Sequence, residues 1–161
     1  MSACSDGILL LDKPAGISSN AALQRAKRIM GVRKAGHTGT LDPFATGLLI
    51  LLFGQATKVS DYLLNADKRY RATLRLGQET NTGDREGEVV ASGSVDFDQT
   101  QLDAALSRFR GRISQIPPMF SAIKRNGQPL YRLARKGVEI EREARSVEIY
   151  SLDLLSWAGE E

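Results

Sequence analysis

The sequence predicts an α+β fold in which a mixed, mainly antiparallel sheet is flanked by helices. Two observations predict it. Helix-period and strand-period segments alternate loosely along the chain, and several strands are separated by hairpin-type turn signals. The 161 residues, 42% hydrophobic and 25% charged, have the length and composition of a folded domain with a real core. No repeat and no low-complexity linker divides them.

The elements follow in order. "GILLLDKP" is a short apolar run closed by Asp-Lys-Pro, which reads as a buried strand ending in a loop. "SSNAALQRAKRIMG" reads as a helix: Ser18, Ser19 and Asn20 are all good caps, Leu23, Ala26 and Ile29/Met30 recur on one face, and Gly31 is a good terminator. "LLILLF" at 48–53 reads as a strand buried on both sides. "ATKVSDYLLNADK" reads as a short helix carrying Val59, Tyr62 and Leu63. In "KRYRATLRLGQ", Tyr70, Ala72, Leu74 and Leu76 alternate with Arg69, Arg71, Thr73 and Arg75, the pattern of a half-buried strand with a basic open face. "ETNTGDREGE" reads as an acidic turn and "EVVAS" as a strand.

"DFDQTQLDAALSRFRG" reads as a second capped helix with Leu102, Ala105, Leu106 and Phe109 on its apolar face and Gly111 at its end. Asn126-Gly127 is a turn signal, and Pro129 opens a helix of one or two turns that Gly137 closes. "SVEIYSLDLLSW" reads as a last strand. Only "AGEE" follows it, so nothing later in the chain can pair with it. Folded proteins avoid a long apolar edge of that kind, and the sequence therefore reads as a piece of something larger.

Other features bound the function classes. The only cysteine, Cys4, excludes an internal disulfide and fits a reducing compartment. The N-terminus has no basic region and is interrupted by Asp6, unlike a signal peptide. The longest apolar run, 48–53, is too short to span a bilayer, so the expectation is a soluble, cytoplasmic protein with no membrane partner. The net charge of +3 conceals a pattern: +6 over 1–75, −6 over 76–103, +7 over 104–145 and −4 over 146–161. Two basic blocks around an acidic one suit a polyanionic partner such as nucleic acid, and also suit ordinary solvated faces.

The chemistry-bearing stretch is "GHTGTLDPFATGLLILLFG" at 36–54. Pro43 pushes Asp42 towards an extended conformation, and Gly36, Gly39 and Gly47 let the backbone turn tightly. An apolar strand behind anchors the loop. A carboxylate held in this way is a reasonable nucleophile or base, while Asp-Pro and glycine-rich segments are also ordinary turns. His37 is the only histidine. Without a Glu-x-x-His, a Cys-x-x-Cys or a second histidine, the residues offer no metal site, and without a phosphate-binding glycine motif they offer no nucleotide cofactor.

These residues carry a resemblance. "GHTGTLDPFATGLL" looks like the signature of the tRNA pseudouridine synthase B family, in its bacterial stand-alone branch. "GILLLDKPAGISSN" and "DKRYRATLRLGQETNTGD" resemble the neighbouring family blocks. "FRGRISQIPPMFSAIKRNGQPLYRLARKGVEIEREAR" is similar to an RNA-gripping thumb, at about 112–145. The resemblance runs through nearly the whole chain, in the family's order.

It implies a partial pseudouridine synthase catalytic domain over 1–161, lacking the family's later arginine-containing block and its PUA domain. The implied activity is isomerisation of uridine 55 in the tRNA T loop to pseudouridine, without metal or small-molecule cofactor. The alternative is a catalytically incomplete RNA-binding fragment. Asp42 is then the essential carboxylate. Tyr70 is the stacking platform for the displaced base, and His37 stands beside it. Lys13 and Lys58 are basic groups near the site. Lys124, Arg125, Arg132, Arg135 and Lys136 belong to the thumb-like segment that contacts RNA. Asp84 matches an acidic turn position of the family, although Asn81 replaces the first aspartate of that turn. The implied partner is the T stem-loop of tRNA, bound by a protein that is monomeric in the full-length family.

Overall fold

A computed structural model describes residues 6–121, 123–125 and 127–157, with only the backbone of Lys124 and Arg125; Cys4, Asn126 and the "AGEE" tail lie outside the described residues. The chain divides into two compact units, Met1–Arg71 and Ala72–Glu161. Every strand pairing among the described residues is antiparallel, and helices flank the sheets, as the α+β expectation requires. No helix of the described residues is long and apolar enough to cross a membrane.

The first unit holds β1 (Gly7–Lys13), α1 (Ser19–Ile29), β2 (Ala35–His37), β3 (Gly47–Phe53), a 3-10 helix (Gly54–Val59) and α2 (Ser60–Leu64). Its sheet has the order β1-β3-β2, so β3 is central. The register pairs Leu9 with Leu51 and Leu11 with Leu49. Directly paired residues share a sheet face, so these four side chains point the same way. Leu49 and Leu51 pack with Ala22 and Leu23 of α1, Val32 and Phe53 to make the core; Leu11 is packed against it, while Leu9, nearer the start of β1, stays exposed.

α1 begins where a serine can cap it: the Ser18 side chain accepts from Ala21 N–H at 3.1 Å. It ends in a Schellman turn, with Gly31 N–H donating to Arg28 O, Val32 N–H to Lys27 O, and Gly31 at φ 64°. The expected apolar face reaches only as far as Ala26. Ile29 is 77% exposed, and Val32, brought back by the turn at Gly31, enters the core instead.

β3 is buried on the α1 face but not wholly on the other, where Leu52 is buried, Ile50 half-buried and Leu48 63% exposed. The helix expected from 56 to 68 is a 3-10 turn followed by five α residues, neither of them capped by a side chain, and Val59 and Tyr62 are exposed. The strand expected over 68–78 is absent except for Gln78. Its alternation is real, but a strand exists only through a ladder, and no described strand pairs with 68–75.

The second unit contains β4 (Gln78–Thr80), β5 (Val89–Ser92), α3 (Gln99–Ser107), β6 (Gly111–Gln115), β7 (Lys124–Arg125), β8 (Gln128–Pro129), α4 (Leu130–Ala134) and β9 (Arg145–Ile149). The acidic turn closes the β4-β5 hairpin. Asp84 accepts from Thr82 Oγ1 and from Glu86 N–H, and Asn81 Oδ1 accepts from Glu88 N–H. These bonds give Asn81 and Asp84 a turn-building role. Gly87 is required there, because a Cβ would collide with Thr82 Oγ1. α3 carries the capping box that the sequence predicted in outline, Asp98 with Gln101. Its apolar face is less buried than expected: Leu102 and Leu106 are half-buried, Ala105 and Phe109 exposed.

The last strand does have a partner. β9 pairs with β6, Gly111 to Gln115 lying against Ile149 to Arg145, although the sequence shows no strand signal at 111–115. It is also shorter than expected. After Ile149 the chain leaves the ladder, and Arg110 holds Leu152 O with two N–H groups at 3.0 and 2.6 Å while Trp157 stacks on Phe97 at 5.5 Å. The short helix after Pro129 is present as α4, and Gly137 follows it at φ 71°.

The central position of β3 gives a stability test. Leu51→Ala empties a site with 0% exposure and should lower the unfolding free energy by about 3 kcal/mol in urea denaturation. Leu48→Ala, on the open face of the same strand, should change it by less than about 0.5 kcal/mol.

Candidate active site

The loop between β2 and β3 carries Asp42, and its geometry begins with the ladder. β2 ends at His37, and Thr38 N–H continues the pairing by donating to Ile50 O at 3.0 Å. Gly39 and Gly47 stand at φ 123° and 120°, a conformation that favours glycine, so the chain can leave β2 and enter β3 there. Gly36, by contrast, lies inside β2 without a positive φ.

Between those glycines the backbone is gripped from the β1–α1 connection. Lys13 ends β1 opposite Gly47, and its side chain is 0% exposed. Its Nζ donates to Pro14 O at 2.9 Å, Ile17 O at 2.8 Å and Pro43 O at 3.3 Å. Pro43 O also accepts from Gly16 N–H at 2.8 Å. Ser19 is buried and exchanges two hydrogen bonds with Leu41, accepting from its N–H and donating to its carbonyl. Asp42 O accepts from Ala45 N–H at 3.1 Å. The Asp42 side chain is exposed, and no hydrogen bond or ion pair engages it among the described residues.

The sequence-predicted residues of the first unit are not all brought together. Lys13 and Asp42 are brought to the same end of the sheet, but Lys13 is neither a solvated lysine nor an outward one: its three N–H donors are all committed to carbonyls, so it ties the loop. His37 is half-buried at the end of β2, and its Nδ1 is buried without a partner, as is Thr38 Oγ1. Lys58 stands on the 3-10 helix that opens at the far end of β3, so strand pairing does not set it beside Asp42. Tyr70 follows α2 in a segment outside any ladder and is 71% exposed.

The basic residues of 124–136 lie on one local module. β7 and β8 make a hairpin that leads directly into α4, with Leu130 N–H donating to Ile123 O and Tyr131 N–H to Ser121 O. Leu130 is buried beneath it, while Arg132, Arg135 and Lys136 are exposed. The Arg135 guanidinium lies 5.5 Å from the Tyr131 ring centre. The side chains of Lys124 and Arg125 lie outside the description. Other arginines of the block are engaged by protein oxygens: Arg145 holds Gln115 Oε1, Arg110 holds Leu152 O, and Arg142 pairs with Glu139 at 3.6 Å.

Ser19 is the residue that sequence reasoning missed, having taken it only as one of three cap candidates. The available signal was a second serine directly after the cap. There, in the first turn of an amphipathic helix, a polar side chain falls among core positions.

The Lys13 tie predicts its own measurement. Lys13→Met keeps the stem but removes the three donor bonds, leaving Pro43 O to Gly16 N–H alone and taking this partner from Pro14 O and Ile17 O. It should lower stability by about 1–3 kcal/mol in denaturant titration and should speed limited proteolysis within 40–46.

Residues 27–161 match the family described as TruB family pseudouridylate synthase, N-terminal domain. The tRNA pseudouridine synthase B of Bordetella avium (strain 197N) is 60% identical over 157 residues, which cover 96% of this chain and 64% of that protein. The protein of the same name from Chromobacterium violaceum is 61% identical over 154 residues, covering 96% and 50%. The one from Tolumonas auensis is 60% identical over 155 residues, covering 96% and 48%. The chain thus spans about half to just under two thirds of these relatives. Among solved structures, a crystal structure of a Cbf5-Nop10-Gar1 complex has a similar fold, with a TM-score of 0.61 at 24% identity over 97% of this chain and 37% of that one. The chain belongs to the TruB family of pseudouridylate synthases and carries its N-terminal domain.

Proposed function

We propose that this chain is the N-terminal part of a tRNA pseudouridine synthase that isomerises uridine 55 of the T loop. One observation carries the reading: the exposed carboxylate of Asp42 has no partner among the described residues and sits on a loop whose backbone is tied on both sides of it. Such a group keeps its full capacity to act on a substrate while its position is fixed in advance.

The reaction balances without redox change. The bond from ribose C1′ to N1 of the base breaks, the base turns, and C5 bonds to C1′. C5 gives up its proton and N1 gains one. Asp42 is the reacting carboxylate, and attack at C1′, attack at C6 and abstraction of a ribose proton all use the same group. The uridine has to leave its stack to reach Asp42. The exposed ring of Tyr70 is the platform for the displaced base, and His37 stands beside it. Lys13 serves the site through the loop, and Lys58 adds positive charge for the phosphate backbone. Arg132, Arg135 and Lys136, with Lys124 and Arg125 of the preceding hairpin, grip the folded RNA by its phosphates and its shape.

A second reading is favoured by one fact, that the chain covers only 48% of one relative and 50% of another. It makes this chain an RNA-binding fragment whose site is completed elsewhere. Both readings are tested by incubating the 161-residue chain with an unmodified T-stem-loop RNA and assaying pseudouridine. The expected result is product that disappears in Asp42→Asn while the RNA affinity stays within about twofold. Salt-sensitive binding without product in the unaltered chain would select the second reading, and neither binding nor product would end both. Arg132→Ala, Arg135→Ala and Lys136→Ala should each weaken binding and reduce the slope of log K against log salt by about 0.7–0.9.

A further inference from the structure

The residue before Asp42 is held by both of its main-chain polar groups. Ser19 Oγ accepts a hydrogen bond from Leu41 N–H at 2.9 Å and donates one to Leu41 O at 3.0 Å. The two bonds reach across 22 residues of sequence, and Ser19 is 1% exposed. Leu41 N–H belongs to the peptide plane entering Leu41, and Leu41 O belongs to the plane that leads into Asp42. One hydroxyl therefore fixes both planes. On the far side of Asp42, Pro43 has its φ fixed by its ring, and its carbonyl is held by Lys13 Nζ and Gly16 N–H. The Asp42 Cα thus follows a peptide held by Ser19 and precedes one whose carbonyl, Asp42 O, accepts from Ala45 N–H, with the held Pro43 carbonyl one residue further on.

We propose that Ser19 is a positioning residue for Asp42, acting through the Leu41 backbone and never touching the substrate. The proposal rests on the reading of Asp42 as the reacting carboxylate. The residue type follows from the geometry. A serine hydroxyl has one donor and two acceptor positions, so it can serve the N–H and the carbonyl of one residue together. Alanine can serve neither, and a cysteine sulfur is too large and too weak an acceptor to do both well. The hydroxyl is placed by a rigid element: Ser19 is the first residue of α1, and the Ser18 cap immediately before it fixes the helix start. The loop inherits that rigidity. A looser Leu41 would leave the fold intact and let the carboxylate wander. Displacement by about 1 Å of a reacting group is enough to slow a reaction by about a hundredfold.

The test compares the unaltered chain with Ser19→Ala and Ser19→Cys by amide hydrogen exchange and, with a T-stem-loop RNA, by turnover. In Ser19→Ala the Leu41 amide should exchange roughly tenfold faster while the Leu51 amide, in the β3 ladder, is unchanged. Turnover should fall about tenfold to a hundredfold in kcat, with KM within about twofold. An unchanged Leu41 amide would overturn the proposal, and so would equal acceleration of Leu41 and Leu51, which marks a purely structural serine. If Ser19→Ala does not fold, Ser19→Cys, which fills the site with a weakly hydrogen-bonding atom, decides by the same comparison, and failure of both to fold overturns the proposal. A chain that makes no pseudouridine would sink the catalytic reading of this chain, while the Leu41 to Leu51 comparison would still decide what Ser19 does.

Discussion

An ammonium group removed from water has to be solvated by the protein, and in this chain three backbone carbonyls do so for Lys13. Two of those carbonyls belong to the β1–α1 connection, and the third belongs to Pro43, next to the candidate reacting carboxylate. The site depends on this arrangement, and the arrangement depends on strand register. Leu11 must face the same side as Leu49 and Leu51 for the α1 face to be covered. Lys13, two residues further along β1, then emerges on that face opposite Gly47. A slip of one residue would turn every one of these side chains to the other face, carrying the ammonium away from Pro43. Hydrophobic burial thus sets the register, the register sets the lysine, and the lysine sets the loop.

The same logic separates the arginines of the second unit. The basic excess over 104–145 is a single number in the sequence, but it describes two kinds of residue. Arg110 and Arg145 direct their guanidinium groups at protein oxygens, where the planar fork serves two N–H donors at once. These are fasteners for β6, β9 and the chain that follows them. Arg132, Arg135 and Lys136 have no such partner and stand exposed around one short helix. Arg108, just after α3, and Arg112, in β6, are exposed as well, so the cationic groups open to a polyanion are fewer than the block count but are not confined to α4.

Much of the fold was legible where the determining interactions are local. The caps of α1 and α3, the turn after Gly31 and the helix opened by Pro129 each depend on residues within a few positions of one another, and each stands as read. Non-local features were not legible. β6 has no strand pattern of its own and exists because β9 pairs with it from 30 to 38 residues away. Residues 68–75 alternate like a strand, yet no described strand pairs with them. In the site, Asp42 and its glycine-hinged loop could be read directly. Lys13 could be read as a basic residue but not as a buried one, because its burial follows from its register with Gly47. Ser19 was hidden by its type: serine at a helix start has a local explanation, and here the cap is Ser18 instead.

A free carboxylate on a fixed loop poses a physical difficulty, since the groups that would most simply hold an aspartate in place are donors to its own oxygens. Each such donor would occupy a lone pair of the carboxylate and stabilise its anion. The structure avoids this by attaching the backbone instead. The Leu41 peptides and the Pro43 carbonyl carry the attachments, and the side chain between them carries none among the described residues. Backbone attachment also explains why the tying groups are a serine and a lysine. Both can donate to carbonyl oxygen, neither is a carboxylate that would repel Asp42, and each reaches the loop from an element whose own place is fixed by the core. The rigidity of the loop and the availability of its carboxylate then have separate physical sources, and neither is gained at the expense of the other.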